Sequence, residues 1–186
     1  VGVVFEKERV SKTDDHVWTY DGLQYWMPNQ NYYFAAVSPV DDANIKINTE
    51  NRSFNAPTGL GVIEFTNEDG TTDLLYAEKS LSTDADATNE DKVHLQFAHM
   101  LSKVKFTFVN ALPNDIEIKE IKITNAPKSA SIDMTAETRA WANHADEVVL
   151  DFGDVEKGAK LAISGDKHES DYARLTLPIG GEYEYN

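Results

Sequence analysis

The sequence predicts an all-β sandwich. Period-two alternation of apolar and polar residues recurs along the chain, and turn-forming residues separate the alternating runs. No window of helical length carries an apolar stripe at i, i+3, i+4 and i+7. Many short strands with few helices bury their apolar faces sheet against sheet.

Val1, Val3 and Phe5 alternate at the start, so the chain is expected to open as a strand already in progress. Tyr32, Phe34 and Ala36 form a second run, and Ile45 and Ile47 a third. The clearest pair lies in the middle. Val93, Leu95 and Phe97 point one way, with His94, Gln96 and Ala98 opposite; Val104, Phe106 and Phe108 then alternate with Lys103, Lys105 and Thr107. Met100, Leu101 and Ser102 are either a bend between them or the middle of one long strand.

Further on, Ile116 and Ile118 share one parity while Ile121 and Ile123 share the other, the pattern of a β-bulge or sharp bend. Val148, Leu150 and Phe152 make another strand candidate, as do Leu161 with Ile163 and Leu175 with Leu177. Turn chemistry falls at Asn67, Glu68, Asp69 and Gly70, at Pro113 and Asn114, and at Gly153. Short helical turns are expected at 73–78 and 138–143, and exposed loops at 80–92 and 165–171. This divides the chain into a sandwich domain over 1–165 and, over 166–186, the opening strand of a second β domain that is cut short. Glu182 to Asn186 also reads as strand, so both ends are expected to be cut from a longer precursor.

Composition narrows function by exclusion. The chain has 186 residues, with 32 acidic and 17 basic side chains giving a net charge of −15. Such a chain lacks the basic surplus that displaces counterions from nucleic acid, and an anionic membrane surface repels it. It has no cysteine, which removes disulfides, thiolate zinc sites and thiol nucleophiles. No run approaches the ~20 apolar residues of a membrane-spanning helix.

Candidate chemistry is thin. Of His16, His94, His99, His144 and His168, the closest pair, His94 and His99, falls on opposite faces of a continuous strand and cannot share a metal. Asp84 and Asp86 begin like a calcium loop, but Asn89 stands where glycine is required and Leu95 where a carboxylate is required. A solvated acidic loop is the reading, with a weak surface calcium ion as the alternative. Gly-x-Ser-x-Gly, His-Glu-x-x-His and phosphate-cradling glycine loops are all absent, so no enzyme and no cofactor is expected. Asn51, Arg52 and Ser53 match the glycosylation sequon, a pattern common by chance. Seven of the 19 aromatics fall between Trp18 and Phe34, where Trp18, Tyr25 and Trp26 suit a sugar-stacking platform and equally a sandwich core.

Several segments, in order, resemble the fimbrillin family, pilin-like surface proteins of Bacteroides-type gram-negative bacteria. They are Tyr25, Trp26, Met27 and Pro28; Tyr33, Phe34, Ala35, Ala36, Val37, Ser38 and Pro39; and Asp73, Leu74, Leu75, Tyr76 and Ala77. The tract containing Leu95, Phe97, His99, Val104 and Phe106 follows, and then the tract from Ile123 to Asp133. Met27 departs from the family, in which proline more often follows the aromatic pair directly.

The resemblance implies a transthyretin-like sandwich, export as a lipoprotein to the outer membrane, and a cell-surface pilus as the destination. It implies other pilin subunits as partners through donor-strand exchange, which in polymerising members follows cleavage after an arginine; Arg9 is the candidate. Pro28 and Pro39 would then end strands or sit on edges. A glycan-binding outer-membrane lipoprotein using the aromatic platform is the alternative, with host or bacterial surface glycans or proteins as ligands.

Overall fold

The computed structural model describes residues 2–22, 24–39, 42–50, 59–86, 92–154, 161 and 167–179. Ile163, Asn51, Asn89 and the stretch from Glu182 lie outside these residues.

The long strand β10 (Lys122–Asp133) pairs with β11 (Trp141–Asp151) on one side and β5 (Val62–Thr66) on the other, and β4 (Ile45–Asn48) completes the layer in the order β11-β10-β5-β4. Facing it is a layer made from β3 (Asn31–Ser38), β6 (Leu75–Ser82) and the broken strand 98–109. That strand changes partner along its length. Its first piece, β7 (Ala98–His99), pairs with β6; the next, β8 (Ser102–Val104), pairs with β13 (Arg174–Thr176); the last, β9 (Thr107–Val109), pairs with β12 (Lys167–Glu169). The remaining hairpin, β1 (Val10–Lys12) with β2 (Trp18–Tyr20), pairs only with itself among the described residues and is exposed throughout.

Two apolar clusters fill the space between the layers. In the first, Ile63, Phe65 and Ile132 from one layer meet Leu74, Tyr76, Leu101 and Leu177, with Ala35 and Val37 packed against them. In the second, Ile121, Ile123, Leu150, Phe152 and Leu161 are buried beneath Val104, Phe106 and Phe108. Each large apolar side chain fully buried in this way contributes roughly 1.5–3 kcal/mol. The β10–β11 hairpin is long enough to cover both clusters, and register shifts between Ile123 and Ala126 and between Ser129 and Ser131 bend it to do so.

The all-β sandwich stands, with several local corrections. Residues 2–9 form no strand: Val3 and Val4 are exposed, and their alternation has no ladder to join. Residues 92–97 also have no pairing partner among the described residues; Val93 and Leu95 are half-buried and Phe97 is exposed. The expected helical turns at 73–78 and 138–143 belong instead to the starts of β6 and β11. The loop expected at 165–171 contains β12, and Ser170 behind it is buried. Ile116 and Ile118 pack on the same cluster as Ile121 and Ile123, because the chain bends between an isolated Ile116–Leu161 bridge and the start of β10. The described part of the expected second domain, 167–179, pairs with β8 and β9 and places Leu177 in the first cluster.

Candidate assembly edge and aromatic face

β3 forms because eight residues rich in aromatic and small apolar side chains pair with β6 in unbroken register, from Asn31 opposite Ser82 to Ser38 opposite Leu75. Its two faces do different work. Ala35 and Val37 point inward to the first cluster, whereas Tyr32 and Phe34 fall on the opposite face. Among the described residues its other edge is unpaired.

The outer face is covered by N-terminal aromatics. The Trp26 ring meets Tyr32 edge to face at 4.8 Å and Phe34 at 6.0 Å, while Tyr32 and Phe34 stack at 6.3 Å. Phe5 sits 6.3 Å from Phe34 and 5.0 Å from Tyr20, so the segment before β1 and strand β2 both reach this face. Such pairs contribute about 0.5–1.5 kcal/mol beyond the area they bury. Nothing in the alternation of Val1, Val3 and Phe5 signalled that Phe5 packs outside the sandwich.

The inner end of β3 is held by a polar network that the sequence did not reveal. Glu78 accepts hydrogen bonds from Tyr33 Oη at 2.5 Å, from Tyr76 Oη at 2.8 Å, and from both terminal nitrogens of Arg139 at 2.8 and 3.0 Å. Gly59 donates its N–H to Tyr33 Oη at 2.7 Å. Burial pushes both phenols above their ordinary range, and the adjacent carboxylate adds to it. Burial also works to raise Glu78, but the hydrogen bonds from Arg139, Tyr33 and Tyr76 outweigh it and hold the carboxyl below its usual value.

The predicted platform residues are divided. Trp18 and Tyr25 are 66% and 64% exposed, while Trp26 is half-buried against Tyr32 and Phe34. Arg9 is exposed immediately before β1. Pro28 lies just ahead of β3 and Pro39 just beyond it. His99 is exposed on β7 and pairs with Asp73 at 2.7 Å. Val104 and Phe106 pack on the second cluster, and Phe106 meets Phe152 edge to face. His94 lies outside any strand and His99 within one. No group of three metal-ligating side chains is found among the described residues.

A family model described as fimbrillin-like matches residues 3–186 of the chain. No curated protein and no solved structure matches it.

Proposed function

Because the chain belongs to the fimbrillin-like family, a family of structural and non-enzymatic fimbrial subunits, we propose that it is a structural or adhesive component of a bacterial cell-surface fimbria. In this reading it is exported as a lipoprotein, processed near Arg9, and assembled by addition of a strand from another subunit. The family match over nearly the whole chain carries the reading.

The edges of the sandwich support strand addition at β3 in particular. β3 offers eight residues in regular register with one side unpaired among the described residues. The opposite layer's edge, β11, is broken by register shifts and by left-handed backbone at Asn143 and Asp146, features that blunt an edge against further pairing. A donor strand gains affinity from backbone hydrogen bonds and specificity from alternate side-chain pockets. A head-to-tail contact of this kind propagates rather than closes.

Treating the full precursor with a trypsin-like protease and imaging the product tests this. Filaments are the expected result; cleaved protein that stays monomeric overturns the shaft-subunit reading. A second reading, glycan binding by the exposed pair Trp18 and Tyr25, rests on their exposure. Glycan-array binding that is unchanged in Trp18→Ala and Tyr25→Ala removes it.

A further inference from the structure

The connection between β10 and β11 has the composition of a proteolytic nicking site. Thr135, Ala136, Glu137, Thr138 and Ala140 are small or polar, and the stretch from Glu137 to Ala140 is exposed around Arg139. Exposed loop tips of this kind are preferred places for proteases to cut. A trypsin-like enzyme acting here would hydrolyse the Arg139–Ala140 peptide bond, with water supplying the new Arg139 carboxylate and Ala140 amine. To do so it must draw the arginine side chain into its own acidic pocket.

In the folded chain that side chain is already engaged. Arg139 gives both terminal nitrogens to Glu78 on β6, at 2.8 and 3.0 Å, and its guanidinium lies 5.9 Å from the centre of the Tyr76 ring. The acceptor is held from the other side. Tyr33 and the buried Tyr76 both donate to Glu78 Oε2, and the Gly59 N–H in turn fixes Tyr33. A bidentate pair whose carboxylate is already oriented by two phenols loses less freedom on forming than one between two mobile side chains. The connection is also anchored near both ends. Asp133 Oδ1 accepts from the Thr135 N–H at 2.8 Å, and the Trp141 indole donates to the Met100 carbonyl at 3.0 Å.

The other arginines among the described residues are placed differently. Arg174 lies within β13, paired with Val104 of β8 and stacked over the Tyr172 ring at 4.8 Å. Arg9 lies on exposed backbone just before β1, outside any strand. Arg139 shares that exposed, strand-free backbone but has its guanidinium bound to the facing layer.

We propose that the Glu78–Arg139 pair is a protease guard, withholding the β10–β11 connection from the trypsin-like enzyme that processes the chain near Arg9. Its part in maturation rests on the processing reading above; the protection itself does not. Glu78 and the protease pocket compete for the same guanidinium, so the connection is cut only when Arg139 leaves Glu78. Processing then removes the N-terminal segment and leaves the β10–β11 hairpin, which covers both apolar clusters, in one piece.

The test is digestion of the intact chain with an arginine-specific endoprotease at neutral pH, with cuts after Arg9 and Arg139 timed by mass spectrometry. In wild type the cut after Arg9 is expected first and the cut after Arg139 much later. Glu78→Gln should speed the cut after Arg139 about tenfold, the worth of a charged hydrogen bond, and leave the rate after Arg9 unchanged. Glu78→Asp keeps the charge but shortens the reach; it should also speed the cut, and it remains informative if Glu78→Gln unfolds. Ile123→Val loosens the second cluster without touching the pair, and should not speed it. Equal wild-type rates after Arg9 and Arg139, no acceleration in the Glu78 variants, or the same acceleration in Ile123→Val each overturns the proposal. Absence of any cut after Arg9 overturns the processing reading instead, while the Arg139 rates still decide the guard.

Discussion

Glu78 on β6 and Arg139, in the connection between β10 and β11, form a bidentate pair at 2.8 and 3.0 Å that ties the two layers together. Tyr33 and Tyr76 donate to the same carboxylate. Both partners of the ion pair are about one-third exposed, so solvent screens part of its strength. Glu78→Gln should therefore cost about 1 kcal/mol at pH 7. The sign of the pH effect follows from the lowered carboxyl. Its stabilisation is complete above the unfolded value of roughly 4.3 and is lost as pH falls through the lower folded value. Urea melts of wild type and Glu78→Gln should differ at pH 7 and converge below pH 4; a gap that persists in acid rules out the ionised carboxylate as its source.

The N-terminal segment offers a second test. Lys7, Arg9 and Lys12 are exposed, and the hairpin that follows pairs with no strand of the sandwich among the described residues. Segments with few buried contacts open at little free-energy cost, and proteases reach them first. Limited trypsin digestion should remove residues up to 7, 9 or 12 before it cuts at Lys79, Lys122 or Lys128 within β6 and β10. Mass spectrometry of early time points decides this, and early cuts inside β10 would contradict it.

The tryptophans should separate cleanly. Trp18 is 66% exposed on β2, so Trp18→Ala is expected to change stability by no more than about 0.5 kcal/mol. Trp141 packs against the first cluster and donates its indole N–H to the Met100 carbonyl at 3.0 Å. Trp141→Ala should cost about 3 kcal/mol. Denaturation followed by far-ultraviolet circular dichroism, which depends on neither indole, gives both numbers.

The two apolar clusters predict a pattern of additivity. Ile63→Val and Ile123→Val should each cost about 0.5–1.5 kcal/mol. Because these residues belong to different clusters, the double variant should equal the sum within about 0.5 kcal/mol. Ile63 and Ile132 are direct cross-strand partners in one cluster, so that pair should depart from additivity. Equal coupling in both cycles would mean that the clusters behave as one core.

Alternation in the sequence was reliable where a partner strand existed to use it. Tyr32 to Ala36, Ile45 with Ile47, and Val148 to Phe152 became strands or core because neighbours pair with them. Val3 with Phe5, and Val93 with Leu95 and Phe97, carry the same alternation and join no strand among the described residues, since pairing is a property of the partner as much as of the segment. The platform aromatics were visible as a cluster, but the half-burial of Trp26 depends on Tyr32 and Phe34, which β3 brings to it. The Glu78 network includes a pair, Glu78 and Arg139, 61 positions apart, which no local spacing encodes.

Glycine substitutions separate backbone strain from steric fit. Gly59 adopts φ +71° and donates its N–H to Tyr33. A Cβ at Gly59 would fall on the Met134 backbone carbonyl, which belongs to a buried residue whose N–H is bonded to Gly61. The backbone there cannot move without breaking that bond. Gly22 has a similar φ of +79° but nothing within 4 Å, and Gly2 has neither strain nor neighbour. Gly59→Ala should thus carry both left-handed strain and overpacking, about 2–4 kcal/mol together. Gly22→Ala should carry strain alone, about 1 kcal/mol. Gly2→Ala should be neutral. Chemical denaturation of the three variants tests the order. A Gly59→Ala protein no less stable than Gly22→Ala would mean that the 59–61 turn does not press on Met134 as tightly as the geometry requires.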